Sequence, residues 1–249
     1  MKIIISPAKK MNVNTDIFSY NNLPIFLPQT RQITEYIQSL SFDECQKLWG
    51  CNDKIAQQNF ERFQDIDLEH TLTPAILSYE GIQYQYMAPV VFSDDALIYI
   101  ENHLRILSGF YGILKPFDGV TPYRLEMQAK AKIYGTKDLY AFWGQRLYQE
   151  LTKDDHQIIN LASKEYSKCI EKYLTPEDTF ITCIFGEVQN NKIIQKGTLA
   201  KMARGEMVRF MAENQITNVE NIKNFNMHGF LFDESKSSDT EYIFIKNKA

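Results

Sequence analysis

What most limits the fold of this chain is the brevity of its apolar segments and the mixture of periods in them. The longest runs, Ile3-Ile4-Ile5 and 180–185, fall far short of the roughly 20 residues a membrane-spanning helix requires. The run Lys2 to Ile5 reads as a short buried strand ended by Ser6-Pro7. By contrast, Ile33, Tyr36, Ile37 and Leu40 fall at i, i+3, i+4 and i+7, which predicts a helix over 29–40. Ser41-Phe42-Asp43-Glu44 has the form of a capping box opening a second helix, and a third is expected over 52–64. Ser93 caps a predicted helix running to about Asn102.

Further along, a helix is expected over 138–151 and a strand over 157–161. Ser163 then caps a helix that Pro176 ends, followed by a strand over 179–185. A strand at 192–195 is expected to pair back across a turn containing Asn190-Asn191. A helix over 199–214 and two strands, 227–232 and 241–246, complete the chain. Helices and strands alternate without a regular βαβ beat, so the predicted class is α+β, with a central irregular sheet and surrounding helices. No repeat, low-complexity tract or long linker breaks the 249 residues, and a single compact domain over 1–249 is expected.

The reactive inventory excludes several chemistries. Cys45, Cys51, Cys169 and Cys183 form no C-x-x-C pair. His70, His103, His156 and His228 show no H-x-x-x-H spacing. No Walker loop, G-x-G-x-x-G or G-x-S-x-G is present, so neither a metal nor a cofactor is expected. The opening MKIIISPAKK is too short in apolar residues for a signal-peptide core. A cytoplasmic protein with reduced, packing cysteines is therefore expected, with no membrane association and no obligate protein partner.

Net charge is −4, but it is unevenly spread. Residues 1–10 carry Lys2, Lys9 and Lys10 without an acid. Residues 11–100 are acidic, 101–209 basic and 210–249 mildly acidic. A basic cleft on an acidic protein is compatible with this, because local sign outweighs the average in binding; a mixed solvated surface is the simpler account of the same pattern and the one charge alone favours.

Four segments carry candidate chemistry. Ser6-Pro7-Ala8-Lys9-Lys10 follows a strand end, where free amides, a hydroxyl and two lysines suit a phosphate. A capped turn with solvated lysines is the simpler alternative. In 107–118, Gly109 and Gly112 permit close backbone approach and Lys115 adds charge, as in the turn of helix-hairpin-helix modules. The glycine spacing is one residue longer than usual there, Pro116 opposes a following helix, and a turn packed by Phe110 and Tyr111 fits as well. In 121–127, Arg124 can clamp a phosphate or simply pair with Glu126, while Asp118 and Glu126 are a weak metal pair. In the 199–214 helix, Lys201, Arg204 and Gly205 share one face, and a helical glycine asks for a close partner. Lys164, Lys168 and Lys172 form a stripe that reads as a solvated face.

Taken in order, SPAK at 6–9, LSGFYGILKPFD at 107–118, PYRLEM at 122–127, LYAFW at 139–143, NLASKEY at 160–166 and KMARG at 201–205 resemble the YaaA family of bacterial peroxide-stress proteins. The resemblance implies a role in withstanding hydrogen peroxide, linked to limiting free iron. It also implies a helix-hairpin-helix-like element beside a positively charged cleft suited to duplex or distorted duplex DNA. Lys9, Gly109, Gly112, Lys115, Arg124, Lys201 and Arg204 are carried over by motif, and Lys10 and Met202 lie beside the motifs. The expectation is DNA binding through phosphates with little base readout and no catalytic residue. The alternative is an enzyme acting on a phosphorylated or nucleotide substrate with Ser6, Lys9, Arg124 and Glu126, joined by Asp118. Direct iron handling is a third possibility, against which the scattered His and Cys speak.

Overall fold

The computed structural model describes residues 1–190 and 192–247, so Asn191 of the expected turn and Lys248 and Ala249 of the expected domain lie outside the described residues. In chain order the strands are β1 (Lys2–Ile5), β2 (Lys10–Met11), β3 (Thr73–Pro74), β4 (Tyr79–Glu80), β5 (Leu104–Ser108), β6 (Gly112–Leu114), β7 (Gly119–Val120), β8 (Gln157–Leu161), β9 (Thr179–Gln189), β10 (Lys192–Ile194), β11 (Phe230–Phe232) and β12 (Glu241–Lys246). The helices are α1 (Leu27–Gln38), α2 (Phe42–Trp49), α3 (Asp53–Gln64), α4 (Ala75–Ser78), α5 (Ile82–Met87), α6 (Asp94–His103), α7 (Leu139–Trp143), α8 (Arg146–Thr152), α9 (Lys164–Glu171) and α10 (Gly197–Glu213).

A mixed eight-stranded sheet in the order β11-β12-β9-β8-β1-β5-β6, with β10 beside β9, makes this a single compact α+β domain. Its middle, β12-β9-β8-β1-β5, is parallel throughout. That centre explains the unbroken Ile3-Ile4-Ile5 run: each is fully buried, as a parallel strand covered on both faces requires. The parallel pairing is hidden in the sequence because the connection from β1 to β5 runs through six α-helices, the small β2–β4 pair and β3.

Most predicted elements are present. The capping box at Ser41 and Glu44 forms with both arms, and β9 and β10 pair antiparallel. The predicted helix over 138–151 is instead two helices, because Gly144 takes φ 55° between α7 and α8. The segment around Gly109 and Gly112 is not a helical hairpin: β5 and β6 pair antiparallel from Ile106–Leu114 to Ser108–Gly112, and the turn after β6 leads to no second helix. Phe110 and Tyr111 are fully buried in that turn, so packing decides its shape.

Helix α10 departs from a simple two-faced pattern. Gly205, Glu206, Met207 and Val208 are all buried, since the helix is held between the sheet on one side and α5 and α6 on the other. The close partner that Gly205 asks for is α5 of this same chain: a Cβ on Gly205 would sit 2.1 Å from the Gln83 carbonyl oxygen.

Candidate functional site

The sheet reverses its direction of growth between β1 and β8. From β1 the chain adds β5 and β6 on one side, then returns to place β8, β9 and β12 on the other. At such a switch point the loops beyond the strand carboxyl ends diverge and leave a crevice, which is where open sheets of parallel strands bind ligands. Here the loop after β1 begins at Ser6 and the loop after β8 reaches Ser163. The two are stapled together. The Ser163 amide donates to Ser6 Oγ at 2.8 Å, Ser6 Oγ lies 3.2 Å from Ser163 Oγ, and Tyr84 Oη donates to the Ser6 carbonyl at 3.0 Å.

A cavity of 420 Å³ opens at this point, in the size range of small-ligand sites. Lys9, Lys10, Arg124, Lys201 and Arg204 line it, together with Glu80, Glu126 and Glu165. Buried Tyr84, Tyr123 and Tyr166 form its inner wall.

Each charged group arrives for a local reason. Lys10 and Glu80 face each other because β2 pairs antiparallel with β4, and Lys10 Nζ lies 2.7 Å from Glu80 Oε1. Arg124 and Glu126 project from an extended segment that lies against the β5–β6 turn. Gly109 permits this: a Cβ there would be 2.8 Å from the Leu125 carbonyl oxygen. Arg124 Nη2 pairs with Glu126 Oε1 at 3.2 Å, and Lys9 Nζ reaches the same oxygen at 2.8 Å. Both Arg124 and Glu126 are largely buried, and Arg124 Nε has no hydrogen-bond partner.

Arg204 and Lys201 lie one turn apart on α10. Burial lowers the Arg204 pKa from its ordinary value, but a guanidinium keeps its proton at neutral pH. Its Nε is buried without a partner, and among the described residues no carboxylate pairs with it. Glu165, in the first turn of α9, is held above the usual carboxylate range, first by burial; it accepts the Gln128 amide at 3.3 Å. A second cavity of 680 Å³ shares Lys9 and Glu126 with the first and adds Lys47, Lys130 and Lys132 against Glu44. Between them the two cavities are lined by eight lysine or arginine side chains and four carboxylates.

Thus five of the expected phosphate ligands, Lys9, Lys10, Arg124, Lys201 and Arg204, meet at one place. Gly109 and Gly112 do not join them: both are buried in the hairpin, Gly112 against Trp143 and Leu147. Lys115 lies in a separate cavity with Asp118, Arg105 and Lys153, 3.9 Å from Glu101. Asp118 is therefore apart from Glu126, and its carboxyl, pushed up to about 7 by burial, accepts the Lys115 amide at 2.8 Å. Ser6 does reach the cavity with Lys9, Arg124 and Glu126, but its hydroxyl is engaged by Ser163. Lys164, Lys168 and Lys172 are exposed on the outer face of α9. Sequence reasoning missed Glu80, Tyr84, Glu165 and Tyr166. Glu165 and Tyr166 left a trace only as part of the 160–166 motif, and Ser163 as a helix cap whose side chain caps nothing because it turns to Ser6.

The thiols are shielded. Burial pushes Cys45 up to about 11 and Cys169 and Cys183 up to about 12, and it raises Cys51 as well. Among the described residues no group of three His, Cys, Asp or Glu side chains is placed to hold a metal ion.

A parallel-centred mixed sheet with surrounding helices, and a switch-point cavity lined by ammonium and guanidinium groups beside three carboxylates, defines an α+β protein. The chain belongs to the family described as peroxide stress protein YaaA, which matches residues 1–236. It is 57% identical over 244 residues to a UPF0246 protein of Agathobacter rectalis, covering 98% of each chain. It is 55% identical over 249 residues to a UPF0246 protein of Desulfitobacterium hafniense, covering 100% of this chain and 99% of the relative. A UPF0246 protein of Pediococcus pentosaceus is 52% identical over 248 residues.

Proposed function

We propose that this peroxide-stress protein acts by binding DNA through its phosphates along the trough that runs from the switch-point cavity past Lys9. The observation that carries the reading is the convergence of Lys9, Lys10, Arg124, Lys201 and Arg204, which lie up to 195 positions apart in sequence, on one cavity. Ammonium and guanidinium groups on a backbone position a duplex without reading its bases. Neutralising about five phosphates gives a slope of log K against log salt near −4.5. The local excess of cations accounts for binding by a protein whose net charge is −4.

Two features favour this over chemistry on peroxide itself. A thiolate is the form of cysteine that reacts with peroxide, and every cysteine here is pushed away from it. The three carboxylates at the cavity are already engaged: Glu80 by Lys10 and Asn12, Glu126 by Lys9 and Arg124, and Glu165 by a backbone amide.

The test is a salt titration of duplex binding by the full chain. The expected slope is near −4.5, and Lys201→Ala and Arg204→Ala should each flatten it by about 1, equally across sequences. A slope near zero overturns the reading, and a loss confined to one sequence replaces it with base readout.

A further inference from the structure

The cavity at the switch point carries a more specific inference, which rests on the phosphate-binding reading of the same trough. We propose that its inner end is a site for a phosphate monoester, the terminal group of a mononucleotide or of a broken DNA strand, rather than for the diester of a continuous backbone.

Charge is the first argument. Five cations line the cavity with three carboxylates, and two of those carboxylates, Glu80 and Glu126, are paired with Lys10 and with Lys9 and Arg124. Lys201 and Arg204 are left over, a local excess of two positive charges. A monoester carries about −1.5 to −2 at neutral pH, whereas a diester carries about −1.

Unmet hydrogen bonding is the second. Arg204 Nε and Arg124 Nε are both buried without a hydrogen-bond partner, and both guanidinium side chains line the cavity, so an anion seated there meets donor forks that the protein leaves incompletely paired. The two forks come from different elements, α10 and the 122–127 segment, so one tetrahedral phosphate with three terminal oxygens can bridge them. Helix α9 adds to this, since Ser163 Oγ is turned to Ser6 and caps none of its first amides.

Shape is the third. The Ser6–Ser163 staple and the buried rings of Tyr84, Tyr123 and Tyr166 close the inner side of the cavity. A chain end can enter such a recess; a continuous strand can only pass over it. Glu165 also faces the cavity, and its raised pKa lowers the repulsion it offers.

The experiment is calorimetric titration of the full chain at low salt with thymidine 5′-monophosphate, its phosphate methyl ester and thymidine. A competition of 5′-phosphorylated against hydroxyl-ended duplex runs alongside. The monophosphate should bind at least about tenfold tighter than the methyl ester, and thymidine should not bind. Arg204→Gln should cost the monophosphate at least about tenfold, and exposed Lys201→Gln several-fold, so the second variant keeps the test valid if the first fails to fold. A phosphorylated duplex end that displaces the monophosphate makes a strand end the ligand; no displacement makes it the free nucleotide, and either result supports the monoester site. If hydroxyl-ended duplex binds but the monophosphate binds no better than its ester, this inference falls and the trough reading stands. If the monophosphate binds and no duplex does, the trough reading falls and the monoester site stands.

Discussion

Replacing Gly205 with alanine tests how the cationic face of α10 is held in place. An alanine Cβ would lie 2.1 Å from the Gln83 carbonyl oxygen and 3.0 Å from both the Gln83 carbonyl carbon and the Met87 amide nitrogen. All three are backbone atoms of α5, so no flexible side chain can swing away. A carbon and an oxygen settle near 3.3 Å, so the helices must separate by about 1.2 Å. Overpacking of this kind costs about 1–3 kcal/mol, and a rigid backbone neighbour places it at the upper end. Alanine recovers about 1 kcal/mol of helix propensity. The net loss is therefore about 2 kcal/mol, or about 4–8 °C in melting temperature for a chain of this size. Urea unfolding and thermal melting measure it, with Gly197→Ala as control, because nothing lies within 4 Å of a Cβ at the start of the same helix. The control should match or slightly exceed the parent. If Gly205→Ala melts at or above the parent, the close approach of α5 and α10 is not what selects glycine. The variant should also weaken duplex binding, since Arg204 moves with its helix.

Three other outcomes follow from particular groups. Glu126→Gln removes the carboxylate that Lys9 and Arg124 share, so duplex binding at low salt should tighten about two- to fivefold; unchanged or weaker binding in a fluorescence titration contradicts the trough. Asp118 is pushed up to about 7 by burial, from about 3.9 in the unfolded chain, so the folded state holds its proton more tightly. Its contribution is present below about pH 4 and is lost as pH rises to about 7; Asp118→Asn should cancel that decline, gaining about 4 kcal/mol over the parent at pH 8 by urea unfolding, and parallel pH profiles would refute it. The purified protein should consume hydrogen peroxide no faster than buffer, because its thiols stay protonated; sulfenic acid detected by a dimedone probe at Cys51 would overturn that.

Local structure was legible in the sequence wherever neighbours along the chain decide it. The buried strand at Ile3 to Ile5, the capping box at Ser41 and Glu44, the helix of Ile33 and Ile37, and the β9–β10 pairing all follow from short-range pattern. The family, too, could be read from motifs in order along the chain, and with them four cations, Lys9, Arg124, Lys201 and Arg204, that meet Lys10 in one cavity. What those motifs are for could not be read. Gly109 and Gly205 look like approach points for a ligand, but each is small so that another part of this chain can come close: the 122–127 segment in one case, α5 in the other. Likewise Lys115 is one residue from Leu114 of the hairpin yet faces a different cavity from Lys9. Side-chain identity and spacing determine helices, strands and caps through interactions within a few residues. The side of the molecule a cation faces is decided by how β1 and β8 meet in the sheet, 156 residues apart at Ile5 and Leu161, and that pairing exists only once the chain has closed on itself.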